Sequence, residues 1–278
     1  MNTEWLKRAK QSLDRNFPKR VFTHRELETL LEEERENLLA PPSLQPGRFI
    51  QALIDSGQLR QIEVKPQRLR KQSPSATEYR PITRYIWKEA LPTELALSLR
   101  PASYLSHGTA AVLHGFAARM ENIYVNKEQS PKPAPTNGLT QEGIDRAFAN
   151  APRLSQYIYT FLNIPIVLLS SKYTGNLEVV EISESASARL RLTSPERTLV
   201  DIAVRPSYAG GVSRVLEIYR AARGRIAISK LLTVLESLNH IYPYHQAIGF
   251  YLEAAGIPRA KLTRFYSLRT HFDFYLTH

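Results

Sequence analysis

The chain has 278 residues, of which 43% are hydrophobic, enough for two folded domains and too apolar for a disordered protein. It has no cysteine, which excludes disulfides, thiolate zinc sites and cysteine nucleophiles. The longest apolar run, Ile164 to Leu169, is strand-sized, and residues 1–8 lack an apolar signal core, so we expect a cytoplasmic protein without membrane spans. The net charge of +11 favours nucleic acid as partner over a merely well-solvated basic surface.

Two helices are predicted before residue 40. The first covers residues 3–17, where apolar residues recur at helical spacing. Thr23 and Glu26 have the spacing of a reciprocal capping box and begin the second helix. Four glutamates at 32–36 in the far half of this helix repel phosphate, so only its capped end, near Arg25, is expected to approach a DNA backbone.

A third helix and a basic hairpin follow. The helix is predicted over residues 43–57 with one apolar and one polar face, and strands are predicted at 59–64 and 79–87. The basic residues of the hairpin, opposed by Glu63 and Glu78, are Arg60, Lys65, Arg68, Arg70, Lys71, Arg80, Arg84 and Lys88. A helix with a polar outer face that leads into a positively charged hairpin is typical of a winged helix-turn-helix.

The polar face of this helix and the hairpin supply the predicted DNA contacts. Arg48 and Gln51 suit hydrogen bonds to guanine and adenine edges in a major groove, whereas the hairpin residues suit phosphates or the minor groove. The alternatives are a solvated helix face and a charged loop without a partner. The predicted DNA-binding residues are Ser43, Gln45, Arg48, Gln51, Arg60, Lys65, Arg68, Arg70, Lys71, Arg80 and Arg84.

The rest of the chain reads as a second domain, with the boundary near Ala90, giving predicted domains 1–90 and 91–278. Its elements are a small-residue helix over 100–116, a short helix over 138–148 and strands at 122–126, 157–160, 164–169, 177–182 and 188–192. Helices at 196–204, 212–222, 228–238 and 244–255 precede a strand-like segment at 272–276. The expected fold class is therefore α+β, a winged helix-turn-helix followed by a mixed α/β domain with a C-terminal helical part.

Several titratable residues of the second domain have both functional and structural readings. His107 and His114 are two helical turns apart, but a metal site would need further ligands, so structural histidines are favoured and no metal is expected. Arg197 and Asp201, four residues apart on a helix, are read as an ion pair rather than an acid/base pair. Gly210-Gly211 lacks the spacing of a phosphate-binding loop, and no cofactor or catalytic residue is predicted.

Rings and cations interleave near the C-terminus. The pattern resembles surfaces that stack bases, although most of these rings are expected to belong to the core. The residues are Tyr242, Tyr244, His245, Phe250, Tyr251, Arg259, Lys261 and Arg264.

Four segments resemble those of the AbiEi-type antitoxins, regulators from bacterial abortive-infection (type IV toxin-antitoxin) systems. The segments are Tyr104 to Ala111 with His114-Gly115, Leu192 to Asp201, Gly210-Gly211 with the following helix, and Gly249 to Glu253. The second segment, which contains Arg-Thr-Leu-Val-Asp, is the most specific of the four. With the N-terminal winged helix, the resemblance covers most of the chain in the same order, although residues 64–79 make this wing longer than the family pattern.

The resemblance implies an N-terminal domain that represses its own operon by binding inverted repeats of double-stranded promoter DNA, an arrangement compatible with a homodimer. It also implies a C-terminal domain that counters a nucleotidyltransferase-like toxin without forming a stable complex. Two other functions remain open from the residues alone. One is a nucleic-acid-processing or nucleotidyltransferase enzyme that uses carboxylates of the second domain, although no Asp-x-Asp pair is present. The other is an RNA-binding protein.

Overall fold

The structure, a computed structural model, describes residues 4–15, 20–67, 80–119, 121–133, 138–183, 189–268 and 272–277. Its helices are α1 (Glu4–Arg15), α2 (His24–Glu34), α3 (Pro46–Asp55), α4 (Pro92–Ser98), α5 (His107–Leu113), α6 (Gln141–Phe148), α7 (Pro195–Val204), α8 (Val212–Ala222), α9 (Ile228–Leu238), α10 (Tyr244–Ala254) and α11 (Thr263–Ser267). Its strands are β1 (Val21–Phe22), β2 (Leu59–Pro66), β3 (Ile82–Trp87), β4 (Tyr104–Leu105), β5 (Ile123–Glu128), β6 (Ile158–Phe161), β7 (Ile164–Ser171), β8 (Val179–Ser183) and β9 (Arg189–Thr193). The α+β class predicted from the sequence is confirmed.

The chain forms two compact units, each assembled from more than one stretch. The first unit contains Met1–Ala102, Tyr157–Ile166 and Glu181–Leu190. The second unit contains Ser103–Gln156, Val167–Val180 and Arg191–His278. The division into domains 1–90 and 91–278 stays a prediction.

The first unit begins with the arrangement of a winged helix-turn-helix. The elements follow in the order α1, β1, α2, α3, β2 and β3, and the strands pair antiparallel in the order β1-β3-β2. Its core contains Leu27 and Leu31 of α2, Phe49 and Leu53 of α3, and Trp87 of β3. The helices therefore pack on the base of the hairpin and hold α3 beside it.

The capping box predicted at α2 is present. Thr23 Oγ1 accepts from the Glu26 N–H (3.2 Å), and the Glu26 carboxylate accepts from the Thr23 N–H (2.8 Å). Two backbone donors at the start of α2 are thereby satisfied, and the start of the helix is fixed at His24.

Strand β2 is paired on both of its edges. It pairs antiparallel with β3 from Leu59 to Val64, and near its end Lys65 and Pro66 lie opposite Thr160 and Tyr159 of β6. The Gln67 N–H also donates to the Ile158 carbonyl (2.8 Å). In this unit the strand order is thus β1-β3-β2-β6, followed by the first residues of β7. The free edge of β2 is therefore paired with a strand that lies far along the chain.

The second unit combines a mixed sheet with a helical part. Its strands follow the order β7-β5-β4-β9-β8, of which β7 from Val167, β8 up to Val180 and β9 from Arg191 belong to this unit. Strand β4 runs antiparallel to β5 and parallel to β9. Helices α7 to α11 enclose a large apolar core in which Leu199, Val215, Leu231 and Ile248 are fully buried. The C-terminal helical part predicted from the sequence is confirmed.

Two predicted elements of the second unit are wrong. The expected helix over 100–116 is a turn with Ala102 at φ +55°, the short strand β4 and the seven-residue α5. Pro101 and the pairing of Tyr104 and Leu105 with β5 divide the segment. Residues 272–277 form no strand; instead Phe274 packs edge-on against Phe148 and Tyr244, with ring centroids 5.1 Å apart in both contacts.

Within the described ranges, none of the helices combines the length and the apolar character needed to cross a membrane.

Candidate nucleic-acid interface

Helix α3 has two distinct faces. Phe49, Ile50 and Leu53 are buried in the core of the first unit, whereas Arg48 and Gln51 are exposed on the opposite side. This arrangement follows from the helical period, because residues three and four apart share a face. The predicted polar face is therefore presented to solvent by a firmly packed helix.

The first turn of α3 is electrostatically open. Gln45 is its N-cap residue but its side chain makes no capping hydrogen bond, Pro46 occupies the first turn, and that turn contains no acidic residue. The initial backbone N–H groups and the positive end of the helix dipole are thus uncompensated by side chains. Such a helix start attracts anions.

The segment that leads into α3 is held by Arg35, which is not among the predicted site residues. Its Nη1 donates to the Pro41 carbonyl (2.8 Å), and both terminal nitrogens lie 3.3 Å from the Leu44 carbonyl. These bonds fix the backbone on both sides of the exposed Ser43, just before the exposed Gln45. Arg35 follows a run of glutamates in the sequence, but that pattern does not predict its role, because its carbonyl partners come together only when the turn before α3 is formed.

Arg48 and Gln51 differ in their availability. The Gln51 Nε2 donates to Asp55 Oδ1 (2.8 Å), one turn further along α3. Arg48 forms no ion pair with any residue that the structure describes. The Arg48 guanidinium is free to reach a partner, whereas the Gln51 amide must give up or share its bond to Asp55.

Gly47 lies between these features and has no evident role in the fold. A Cβ at this position would meet no atom within 4 Å, and the φ angle is outside the left-handed range that favours glycine. Glycine inside a helix costs up to about 1 kcal/mol relative to alanine. Its effect is to leave the backbone of α3 bare where Ser43, Gln45 and Arg48 are exposed. We call these residues, with Gln51, the α3 surface.

Strand alternation separates the basic residues of the wing. Leu59 and Trp87 pack into the helical core, so side chains two residues apart from them along β2 and β3 lie on the helix side of the sheet. Lys65 belongs to this side, and it is exposed. Arg60 is also exposed but points to the opposite side, where its cross-strand partner is Ile86.

Arg84 is used inside the fold. Its Nε and Nη2 donate to the Ser98 carbonyl at the end of α4 (3.0 and 2.6 Å), and Nη1 donates to the Thr83 carbonyl (2.7 Å). Burial lowers the pKa of this guanidinium. All three nitrogens are engaged, so we leave Arg84 out of the proposed DNA contacts. Lys88, at the base of the hairpin, is similarly paired with Asp14 (2.6 Å).

The remaining predicted contacts divide into two groups. Arg80 is exposed two residues before β3 begins. Arg68, Arg70 and Lys71 lie outside the described residues. The structure thus brings Ser43, Gln45, Arg48 and Gln51 together at α3 and places Lys65 on the helix side of the wing.

The histidines and the ion pair singled out in the second unit have internal partners. The buried His107 lies 2.8 Å from Ser106 Oγ through Nδ1, and His114 Nε2 lies 2.7 Å from the Thr193 carbonyl. The Arg197 Nε to Asp201 Oδ1 contact is 2.8 Å long and buried, which confirms the predicted ion pair. No group of three or more His, Asp or Glu in the described part of the chain has the geometry to hold a metal ion.

Comparison with known proteins identifies a similar fold but no matching family. No family model matches the sequence, and none of the curated proteins matches it. A solved structure, the RV2827C protein from Mycobacterium tuberculosis, is similar over 99% of this chain and 86% of that chain, with a TM-score of 0.54 and 17% sequence identity. At this identity the similarity shows the fold alone, and it extends over essentially the whole chain.

Proposed function

We propose that this protein is a transcriptional regulator that binds double-stranded DNA through α3 and the wing. The observation that carries the proposal is the α3 surface: an arginine with no ion-pair partner among the described residues, a bare glycine and an uncapped helix start on the exposed side of a packed helix. In winged helix-turn-helix proteins this helix enters the major groove. Arg48 suits guanine there, and the first turn of α3 suits a phosphate.

The pose of the wing follows from the strand faces. Lys65 lies on the same side of the sheet as the helices and is assigned to the DNA backbone. Arg60, on the opposite side, is not expected to contact the same duplex. The residues 68–71 remain assigned to phosphate or minor-groove contacts on the sequence argument.

The finer proposal is an AbiEi-type antitoxin that acts in the cytoplasm. It is supported by the segments of the second unit that resemble this family, together with the winged-helix unit. On this proposal the protein represses its own operon at inverted repeats, with two copies on paired half-sites, and counters a nucleotidyltransferase-like toxin. Binding of its own promoter DNA in preference to a shuffled duplex of equal length tests the regulatory part.

A pair of substitutions at Gly47 tests the DNA-binding proposal with an internal control. Gly47→Glu adds a negative charge and bulk at the centre of the α3 surface, where an added Cβ meets no described atom within 4 Å. It should reduce duplex affinity by at least tenfold at low salt while the thermal midpoint stays unchanged. Gly47→Ala should bind nearly as wild type if the approach leaves room for a methyl group. Equal affinities of wild type and Gly47→Glu would show that α3 does not face DNA.

A further inference from the structure

The C-terminal helical part of the second unit carries a charge excess of its own. Between residues 212 and 267 there are eight basic and three acidic residues, a balance of 8 − 3 = +5. Two of the acids are paired, Glu217 with Arg214 (2.5 Å) and Glu236 with Arg264 (3.9 Å). The third, Glu253, accepts a hydrogen bond from the Tyr266 hydroxyl. Lys230 is paired with Glu178 (2.8 Å) and Glu196 (3.4 Å), which lie outside this segment, and the acids within the segment do not balance its other basic residues.

Exposed rings and arginines meet around the end of α10. Phe250 is 51% exposed, and Glu253 follows it by one helical turn on the same side. Tyr266 bonds to Glu253, and the Arg259 guanidinium lies over the Tyr266 ring, 4.9 Å from its centroid. The exposed Phe250 ring and the stacked Arg259–Tyr266 pair thus both neighbour the Glu253 carboxylate.

Arg223 joins this group from α8. Its Nη1 lies 3.5 Å from the Ala255 carbonyl at the end of α10, and it would be 2.6 Å from a Cβ on Gly256. The glycine, at φ +86°, therefore makes room for the guanidinium as well as the turn. Arg220 lies one turn earlier on α8, is exposed, and has no ion-pair partner among the described residues.

We propose that these five residues, Arg220, Arg223, Phe250, Arg259 and Tyr266, form a second nucleic-acid surface that binds single-stranded oligonucleotides. The guanidinium groups attract phosphates, and Phe250 offers a face on which an unpaired base stacks. Bases inside a duplex are already stacked and out of reach of such a ring. Both contacts are possible with single strands of RNA or of DNA. Neither contact involves the α3 surface.

The alternative explanation is a purely structural role of these cations, and the experiment must distinguish it from oligonucleotide binding. Cations near helix C-termini offset the helix dipole, and Arg223 does so for α10. That role explains Arg223 but not an exposed phenylalanine. A base-stacking role makes Phe250 essential for oligonucleotide binding, whereas a dipole role leaves it irrelevant.

The test measures the anisotropy of labelled oligouridylate and oligothymidylate with the full chain carrying Gly47→Glu, so that the α3 surface is disabled. Phe250→Ala should weaken binding about tenfold or more. Arg220→Ala should weaken it less and reduce the salt slope by about 0.7. The matched controls are Tyr173→Ala, a ring that is 54% exposed elsewhere in the same unit, and Arg214→Ala, whose guanidinium is paired. Both should bind as the parent does.

The relative affinity for the two oligonucleotides then distinguishes RNA from DNA as the natural ligand. The proposal is overturned by any of three results: no binding at low salt, equal effects of Phe250→Ala and Tyr173→Ala, or competition by polyglutamate as effective as that by the unlabelled oligonucleotide. Equally effective competition by polyglutamate would show that binding is due to non-specific charge attraction. Folding of each variant is checked by its thermal midpoint, which an exposed ring should barely affect.

Discussion

The α3 surface and the buried Arg197–Asp201 pair on α7 use the same residue types in opposite ways. On α3, Arg48 is exposed, and Asp55, the acidic residue of this helix, lies two turns further on and is engaged by Gln51 instead. On α7, Arg197 and Asp201 bind each other at 2.8 Å with side chains only 4% and 10% exposed. An exposed arginine without an ion-pair partner among the described residues is available to bind a ligand, whereas a buried paired arginine holds its own helix.

Two buried histidines whose pKa values are influenced by the Asp201 carboxylate stay neutral near pH 7. Burial lowers the pKa of His107 and of His240 from 6.5 to about 4 in each case, partly opposed by the Asp201 carboxylate. Some polar atoms in this region lack a partner within the described residues, among them Asp201 Oδ2, Asn126 Oδ1 and His240 Nε2.

The largest effect is expected from breaking the buried pair. Asp201→Ala leaves the Arg197 charge buried without its partner and should lower the free energy of unfolding by about 3–5 kcal/mol. Chemical denaturation measures this directly. The matched change on the α3 surface, Arg48→Ala, should alter stability by no more than about 0.5 kcal/mol. Similar losses for the two variants would remove the contrast between the regions.

A pH dependence should follow from the neutral histidines. Their folded-state pKa values are depressed, so the unfolded chain binds more protons between pH 4 and 6.5. Stability is therefore fully present above about pH 6.5 and is lost as the pH falls toward 4, by up to about 3 kcal/mol for each histidine. Thermal midpoints across this range measure the loss.

A substitution of one histidine isolates its share of the pH effect. His107→Asn removes the titrating group and suits the positive φ of +52° at this position, so the profile should flatten. A profile that His107→Asn leaves as steep as wild type would contradict the assignment.

The wing arginines allow a smaller and sharper comparison. Arg84→Ala removes bonds to the Ser98 and Thr83 carbonyls and should cost about 1–3 kcal/mol of stability. Arg60→Ala should cost less than about 0.5 kcal/mol, because this side chain is exposed. On duplex DNA both variants, once folded, should bind nearly as wild type, whereas Lys65→Ala should reduce the salt slope by about 0.9. A large loss of affinity in Arg60→Ala would place the wing in a different orientation.

Local sequence signals predicted most of the first unit. The capping box at Thr23, the two faces of α3 and the alternating hairpin depend on residues close in sequence, and all three are present. Helices α8 and α9 were likewise predicted with their observed ends, since their apolar spacing is regular. These features need no knowledge of tertiary packing.

What the sequence did not predict depends on distant partners. The pairing of β2 with β6 joins residues almost a hundred positions apart, and no local pattern specifies it. The hydrogen bonds of Arg84 to the end of α4 depend on strand register. The same register places Arg60 on the side of the sheet opposite the helices. Gly47 was visible in the sequence, but its significance required the finding that its surroundings are empty.

The most direct test of the central claim is a selection of bound duplexes from a random-sequence library. The wild-type protein should enrich a defined sequence, and Arg48→Ala should lose preference at one base position while Arg60→Ala retains the full sequence. If the wild type enriches nothing, or Arg48→Ala selects the same sequence as wild type with equal strength, then α3 does not read DNA.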